Sequence, residues 1–137
     1  MFEKCIYFNT NTLVRQINRI WDEAFKPLGL SPSHAYVLRL VLEQPGIAMK
    51  PLAEELELAP STVTRFVDSL IAKDLLNRRL DGEDKRGTRI FPTSKAKKLH
   101  KQLEATGQQL YADMNKIIGK KTFTELVSNM REIKHKL

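Results

Sequence analysis

The chain is short of most features that catalysis, secretion or membrane insertion would need. It has a single cysteine, Cys5, among 137 residues, so no internal disulfide can form. Every apolar run is only a few residues long, which excludes a transmembrane helix. No basic leader precedes an apolar stretch, so no secretory signal is expected. The three histidines, His34, His100 and His135, are far apart and in no metal-ligand spacing. Glycine-rich phosphate loops, a Gly-x-Ser-x-Gly elbow and a supported Cys/His pair are all missing. An enzyme would need a catalytic group that is not there. No cofactor or metal is expected, and the setting expected is the reducing cytoplasm.

What is present is a hydrophobic fraction of 42% and a net charge of +7. The first is enough for a real core. The second favours an acidic partner, with nucleic acid or a membrane surface first in line. The charge is uneven: residues 1–60 carry a net of −1, residues 61–98 a net of +5, and residues 99–137 a net of +3. Any function has to account for the basic middle third.

Apolar spacing divides the chain into a mainly helical order. Leu13, Ile17, Ile20, Trp21, Ala24 and Leu28 recur at helical steps, giving a helix over Thr12–Leu28 that Gly29 stops. Ser31-Pro32 opens a second helix, to Glu43, before the Pro45-Gly46 break. A short third helix covers Lys50–Glu57, and after a tight turn Pro60 opens a fourth, to Lys73. The pattern then becomes two short strands, Leu75–Leu80 and Thr88–Phe91, around a polar, turn-rich loop at residues 81–87. A long helix follows from Ser94 to Ile118, with Leu99, Leu103, Thr106, Leu110, Met114 and Ile117 near seven-residue spacing. Thr122-Phe123-Thr124-Glu125 has the form of a capping box that starts a last helix.

Two helices joined by a tight turn and followed by a hairpin make a winged helix-turn-helix. The fold class expected is therefore mainly α with a small β-hairpin wing. On the fourth helix Val63, Val67, Leu70 and Ile71 share one side. Arg65 projects almost opposite, with Ser61, Thr62, Thr64 and Ser69 as its polar company. Such a face offers a major groove hydrogen-bonding groups and an arginine for guanine; it is also what a plain solvated helix would show. The hairpin adds Arg78, Arg79, Lys85, Arg86 and Arg89 within twelve residues. An arginine-loaded tip suits phosphates and a minor groove. Asp84 fits there by holding the Arg86 guanidinium in one direction.

The chain resembles the MarR family of bacterial regulators. The matching stretches are Pro51-Leu52-Ala53-Glu54-Glu55-Leu56 on the third helix and residues Ser61 to Leu70 on the fourth. Asp84-Lys85-Arg86 in the wing and Thr93 at the next helix complete the set. Departures lie at Glu57 and Asp74, where glycines are common, and at Pro92 and Ala96. The resemblance implies one domain over residues 1–137. Its DNA-binding core would be residues 31–92, and residues 1–30 and 93–137 would supply dimerisation helices. It implies a homodimer on a pseudo-palindromic site in double-stranded DNA, with the recognition helix at about 60–73 in the major groove and the wing at about 81–87 in the minor groove. The expected role is a repressor released by a small aromatic or phenolic ligand. Trp21, Phe25, His34 and Tyr36 could border that ligand, or they could simply be core. Cys5 resembles the sensing cysteine of the family's peroxide-responsive branch, although that branch's tyrosine four residues on is Asn9 here; an ordinary cysteine fits equally. The other alternative is a winged-helix assembly module that binds no DNA.

Overall fold

A computed structural model describes residues 1–80 and 87–137. Six α-helices and three short strands follow one another in it: α1 (Ile6–Phe25), α2 (Pro32–Glu43), β1 (Ile47–Ala48), α3 (Met49–Leu56), α4 (Pro60–Ala72), β2 (Leu76–Leu80), β3 (Thr88–Pro92), α5 (Ser94–Ile118) and α6 (Lys120–Lys136). A 3₁₀ turn, Lys26–Leu28, closes α1. The chain divides into two compact units, Met1–Glu104 and Ala105–Leu137, so the division falls inside α5.

In the first unit the periodicity read from the sequence becomes burial. Val37, Leu38 and Val41 of α2, Leu52 of α3, and Val63, Val67 and Leu70 of α4 are completely buried. Phe25, Ile90 and Leu103 join them. Each such side chain contributes about 1.5–3 kcal/mol relative to an exposed one. Ser31 caps α2 as expected, its hydroxyl accepting from the His34 amide at 3.2 Å.

The two helices of the helix-turn-helix end alike. The Leu58 amide donates to Ala53 and the Glu57 amide to Glu54, both at 3.1 Å. The Leu75 amide donates to Leu70 and the Asp74 amide to Ile71, both at 2.9 Å. These are paired Schellman closures, and they require a left-handed residue at the turn. Glu57 (φ 54°) and Asp74 (φ 59°) supply it without being glycine. The hydroxyl of Thr93 donates to the Asp74 carbonyl at 2.7 Å and accepts from the Ala96 amide at 3.1 Å, so it ties the end of α4 to the start of α5.

Three boundaries differ from the sequence expectation. Helix α1 begins at Ile6 rather than Thr12. Cys5 caps it through its sulfur, and Asn9 and Asn11, usually turn formers, fold their amides back onto the carbonyls of Cys5 and Tyr7, each at 2.8 Å. The same helix stops at Phe25, because Pro27 has no amide to continue the ladder. Helix α6 begins at Lys120, and the capping box at Thr122 does not form. The Thr124 hydroxyl instead donates to the Lys120 carbonyl at 2.8 Å, inside the helix. Strand β1 was not expected at all. Its two residues pair with the outer edge of β3, Ile47 with Ile90 and Ala48 with Arg89, giving the antiparallel order β1-β3-β2.

An ion pair joins α2 to α5 within the first unit. Arg39 meets Glu104 with two parallel hydrogen bonds, Nε to Oε1 at 3.0 Å and Nη2 to Oε2 at 3.2 Å. The hydrogen bonds from Arg39 hold the Glu104 carboxyl below its ordinary value. In the second unit Leu110 and Met114 are buried, and Tyr111 packs edge-on against Phe123 at 5.5 Å.

Two stability measurements test this description. Asp74→Gly should stabilise the protein by about 0.5 kcal/mol, because relief of left-handed strain slightly exceeds the added entropy of the unfolded chain. Asp74→Val should lose more than about 1 kcal/mol, since a branched residue resists that conformation. Thermal melts that rank valine at or above aspartate contradict the closure. For Glu104, a folded carboxyl held below its unfolded value stabilises fully above the unfolded value, and the stabilisation fades as pH falls through the folded one. The Glu104 side chain is 38% exposed, which limits the pair to the weak range. Glu104→Gln should therefore cost about 0.5–1 kcal/mol at neutral pH, with the gap closing below about pH 4. Urea titrations at several pH values read this directly.

Candidate nucleic-acid interface

Helix α4 has its inner side locked by Val63, Val67 and Leu70, and this dictates what faces outward. Ser61, Thr64, Arg65 and Asp68 are exposed; Thr62 and Ser69 are half-buried at the margins. Pro60 at the first helical position needs no amide partner, and no side chain caps this end. Thr64 spends its hydroxyl proton on the Pro60 carbonyl at 2.9 Å, so in this conformation its oxygen can only accept. Arg65 is exposed and makes no ion pair among the described residues. Phe66 turns inward and meets His34 edge to face at 5.0 Å. Burial first, then the charge of Lys73, lowers the His34 pKa, which keeps the ring neutral at pH 7.

The wing's strands sort its arginines by face. In the register of β2 and β3, Arg78 opposes the buried Ile90 and Arg79 opposes Arg89. Arg78 thus lies on the side of the sheet turned to the core, and its guanidinium reaches Asp68 of α4 at 2.5 Å. Arg79 and Arg89 lie on the other side. The Arg79 guanidinium sits 4.3 Å above the Phe91 ring, and Arg89 donates to the Gly46 carbonyl at 3.0 Å. Gly46 anchors this root: its φ is 87°, and a Cβ there would come within 3.2 Å of the Phe91 ring. Asp84, Lys85 and Arg86 lie outside the described residues.

The remaining candidates are placed as follows. Trp21, Phe25 and Tyr36 come together: the Trp21 indole donates to the Tyr36 hydroxyl at 3.2 Å, and the Phe25 and Tyr36 rings meet edge-on at 6.2 Å. Phe25 is completely buried. His34 stands apart from these three, on α4's side of α2. Tyr36 also lines an open cleft of about 470 Å³ with Arg39, Leu40 and Glu55. Cys5 is half-buried, with its sulfur accepting from the Phe8 amide at 3.5 Å. Among the described residues no three His, Cys, Asp or Glu side chains gather as metal ligands, and no helix is long and apolar enough to cross a membrane. Sequence reasoning overlooked Asp68 as a site residue. Its spacing, three after Arg65 on the polar face, was the available signal.

This arrangement defines a winged helix-turn-helix protein. Residues 30–88 match the model of the MarR family. Over 96 residues, 70% of the chain, it is 28% identical to the uncharacterised HTH-type transcriptional regulator YybA of Bacillus subtilis (strain 168). That match spans 64% of the relative's own length. A MarR protein from Peptoclostridium difficile is 26% identical with a TM-score of 0.76, covering 95% of this chain and 87% of the other. The fold is also that of MepR from S. aureus, solved as a complex with DNA: TM-score 0.87, 15% identity, 98% and 99% covered. The chain belongs to the MarR family.

Gly46→Ala should destabilise the protein by about 1–3 kcal/mol, since it meets both a left-handed φ and the Phe91 ring. A denaturant midpoint unchanged from that of the original protein would show the wing root to be looser than described.

Proposed function

We propose that the protein is a sequence-specific, DNA-binding transcription regulator that acts in the cytoplasm as a homodimer. The observation that carries the reading is the outward face of α4, where Ser61, Thr64 and an unpaired Arg65 stand beside an arginine-rich hairpin. On this reading α4 enters the major groove. Ser61, Thr62, Thr64, Arg65 and Ser69 face bases and phosphates, and Lys85, Arg86 and Arg89 of the wing follow the backbone into the minor groove. Asp84 orients Arg86. The charge map supports the reading, because the basic excess lies in residues 61–98. The solved DNA complex of MepR supports it by analogy of fold.

The homodimer draws support from apolar side chains left exposed in each unit. Ile6, Tyr7, Leu13 and Val14 line α1, while Ile117, Met130 and Ile133 lie on α5 and α6. A second copy would bury them. Two recognition helices would then call for half-sites about one helical turn apart. Repression released by a small aromatic or phenolic molecule belongs to the same reading, with the cleft beside Tyr36 as a candidate seat.

The test is selection of bound duplexes from a random pool, followed by titration in rising salt. Affinity should fall steeply, by about 0.9 in logarithmic slope for each neutralised phosphate. Binding that ignores salt and sequence would favour an assembly module instead. Arg65→Ala should cost about 1–3 kcal/mol at one base position and relax preference there. Arg86→Ala should weaken all sequences alike and flatten the salt slope by about one. A uniform loss for the first, or an unchanged slope for the second, removes the residue from its assigned role.

A further inference from the structure

Asp68 poses a problem for the reading just given. At about 100° per residue it lies only about 60° round α4 from Arg65, on the face assigned to DNA. A free carboxylate there would repel phosphates. It is not free: its Oδ1 accepts from the Arg78 guanidinium at 2.5 Å. Both partners are substantially exposed, 55% for Asp68 and 40% for Arg78, so the pair lies at the surface that would meet a nucleic acid. Its effect is double. The acid is neutralised where it would repel, and an arginine is withheld from the backbone where it would attract.

The other wing arginines show that this restraint is particular to Arg78. Arg79 is stacked on Phe91 with its charge still outward, and Arg89 braces the Gly46 carbonyl from the opposite side of the sheet. Neither faces an acid on the recognition helix. Arg78 alone of the described wing arginines points to α4, because the two-residue alternation of β2 puts it on the side of Leu76 and Ile90. A cation available to any phosphate raises affinity for every sequence equally and so dilutes discrimination.

We propose that Asp68 is a specificity-determining residue that acts by holding Arg78 off the DNA backbone. Resting on the DNA-binding reading above, this predicts that loss of the acid makes binding tighter and less selective. The pair also removes Asp68 as a direct reader of cytosine, since its acceptor is occupied.

The experiment compares the full-length chain with Asp68→Asn and with the double variant Asp68→Asn/Arg78→Gln, on the selected duplex and on a scrambled one. Circular dichroism establishes that each is folded. Asparagine keeps the shape and removes the charge. In Asp68→Asn, affinity for scrambled DNA should rise and the salt slope should steepen by about 0.9, for one additional phosphate. The gain should therefore shrink roughly three- to fourfold between about 50 and 200 mM salt. Selectivity for the chosen duplex should fall. The double variant should lose the extra slope. An unchanged slope in Asp68→Asn overturns the proposal, as does a gain that survives in the double variant, which would come from removal of repulsion alone. Equal weakening on both duplexes also overturns it and makes the pair a brace for the wing. In each of those cases the original protein still binds DNA with a salt slope, so the functional reading stands. If the original protein binds neither duplex, that reading has failed, and the proposal falls with it.

Discussion

The structure depends on one-sided burial of α4. Val63, Val67 and Leu70 are fully enclosed where the helix packs on α2, α3 and β2. Three apolar side chains at steps of four and three leave the helix no freedom to rotate about its axis. Every property of the candidate site is downstream of this. Arg65 faces solvent because the opposite side is anchored, and Asp68 meets Arg78 because the helix presents that edge to the wing.

The helix ends are controlled with the same economy. Two successive Schellman closures stop α3 and α4, each with an acidic residue in the left-handed conformation. The strain is tolerated because the residue on either side of each turn is committed to the fold. Leu75 is buried beyond Asp74, and Thr93 grips the Asp74 carbonyl. A position that glycine would fill at little steric cost is thus held by neighbouring packing and hydrogen bonding.

The wing divides labour among similar side chains. Four residues of β2 and β3 would be equivalent in a composition count: Arg78, Arg79, Arg89 and their aromatic neighbour Phe91. In the sheet they are not equivalent. Strand alternation sends Arg78 to an acid, Arg79 to a ring and Arg89 to a carbonyl. Positive charge near a proposed DNA surface is therefore of two kinds, one available to phosphates and one already committed.

Much of this was legible in the order of residues. Apolar spacing located α2, α4 and α5 to within a residue or so, and the departures at Glu57 and Asp74 marked the two left-handed turns. The polar face of α4 followed from the same spacing, because a helical period is a local property of the chain. Tertiary structure alone decided the rest. Strand β1 exists only because β3 offers it an edge. Helix α1 reaches back to Ile6 because Asn9 and Asn11 bond to its own carbonyls rather than turning the chain. The meeting of Asp68 with Arg78, ten residues apart on different elements, has no local signature. A charge's partner is set by which faces two elements turn toward each other, and that orientation is settled by the core they share, not by the residues on either side of the charge.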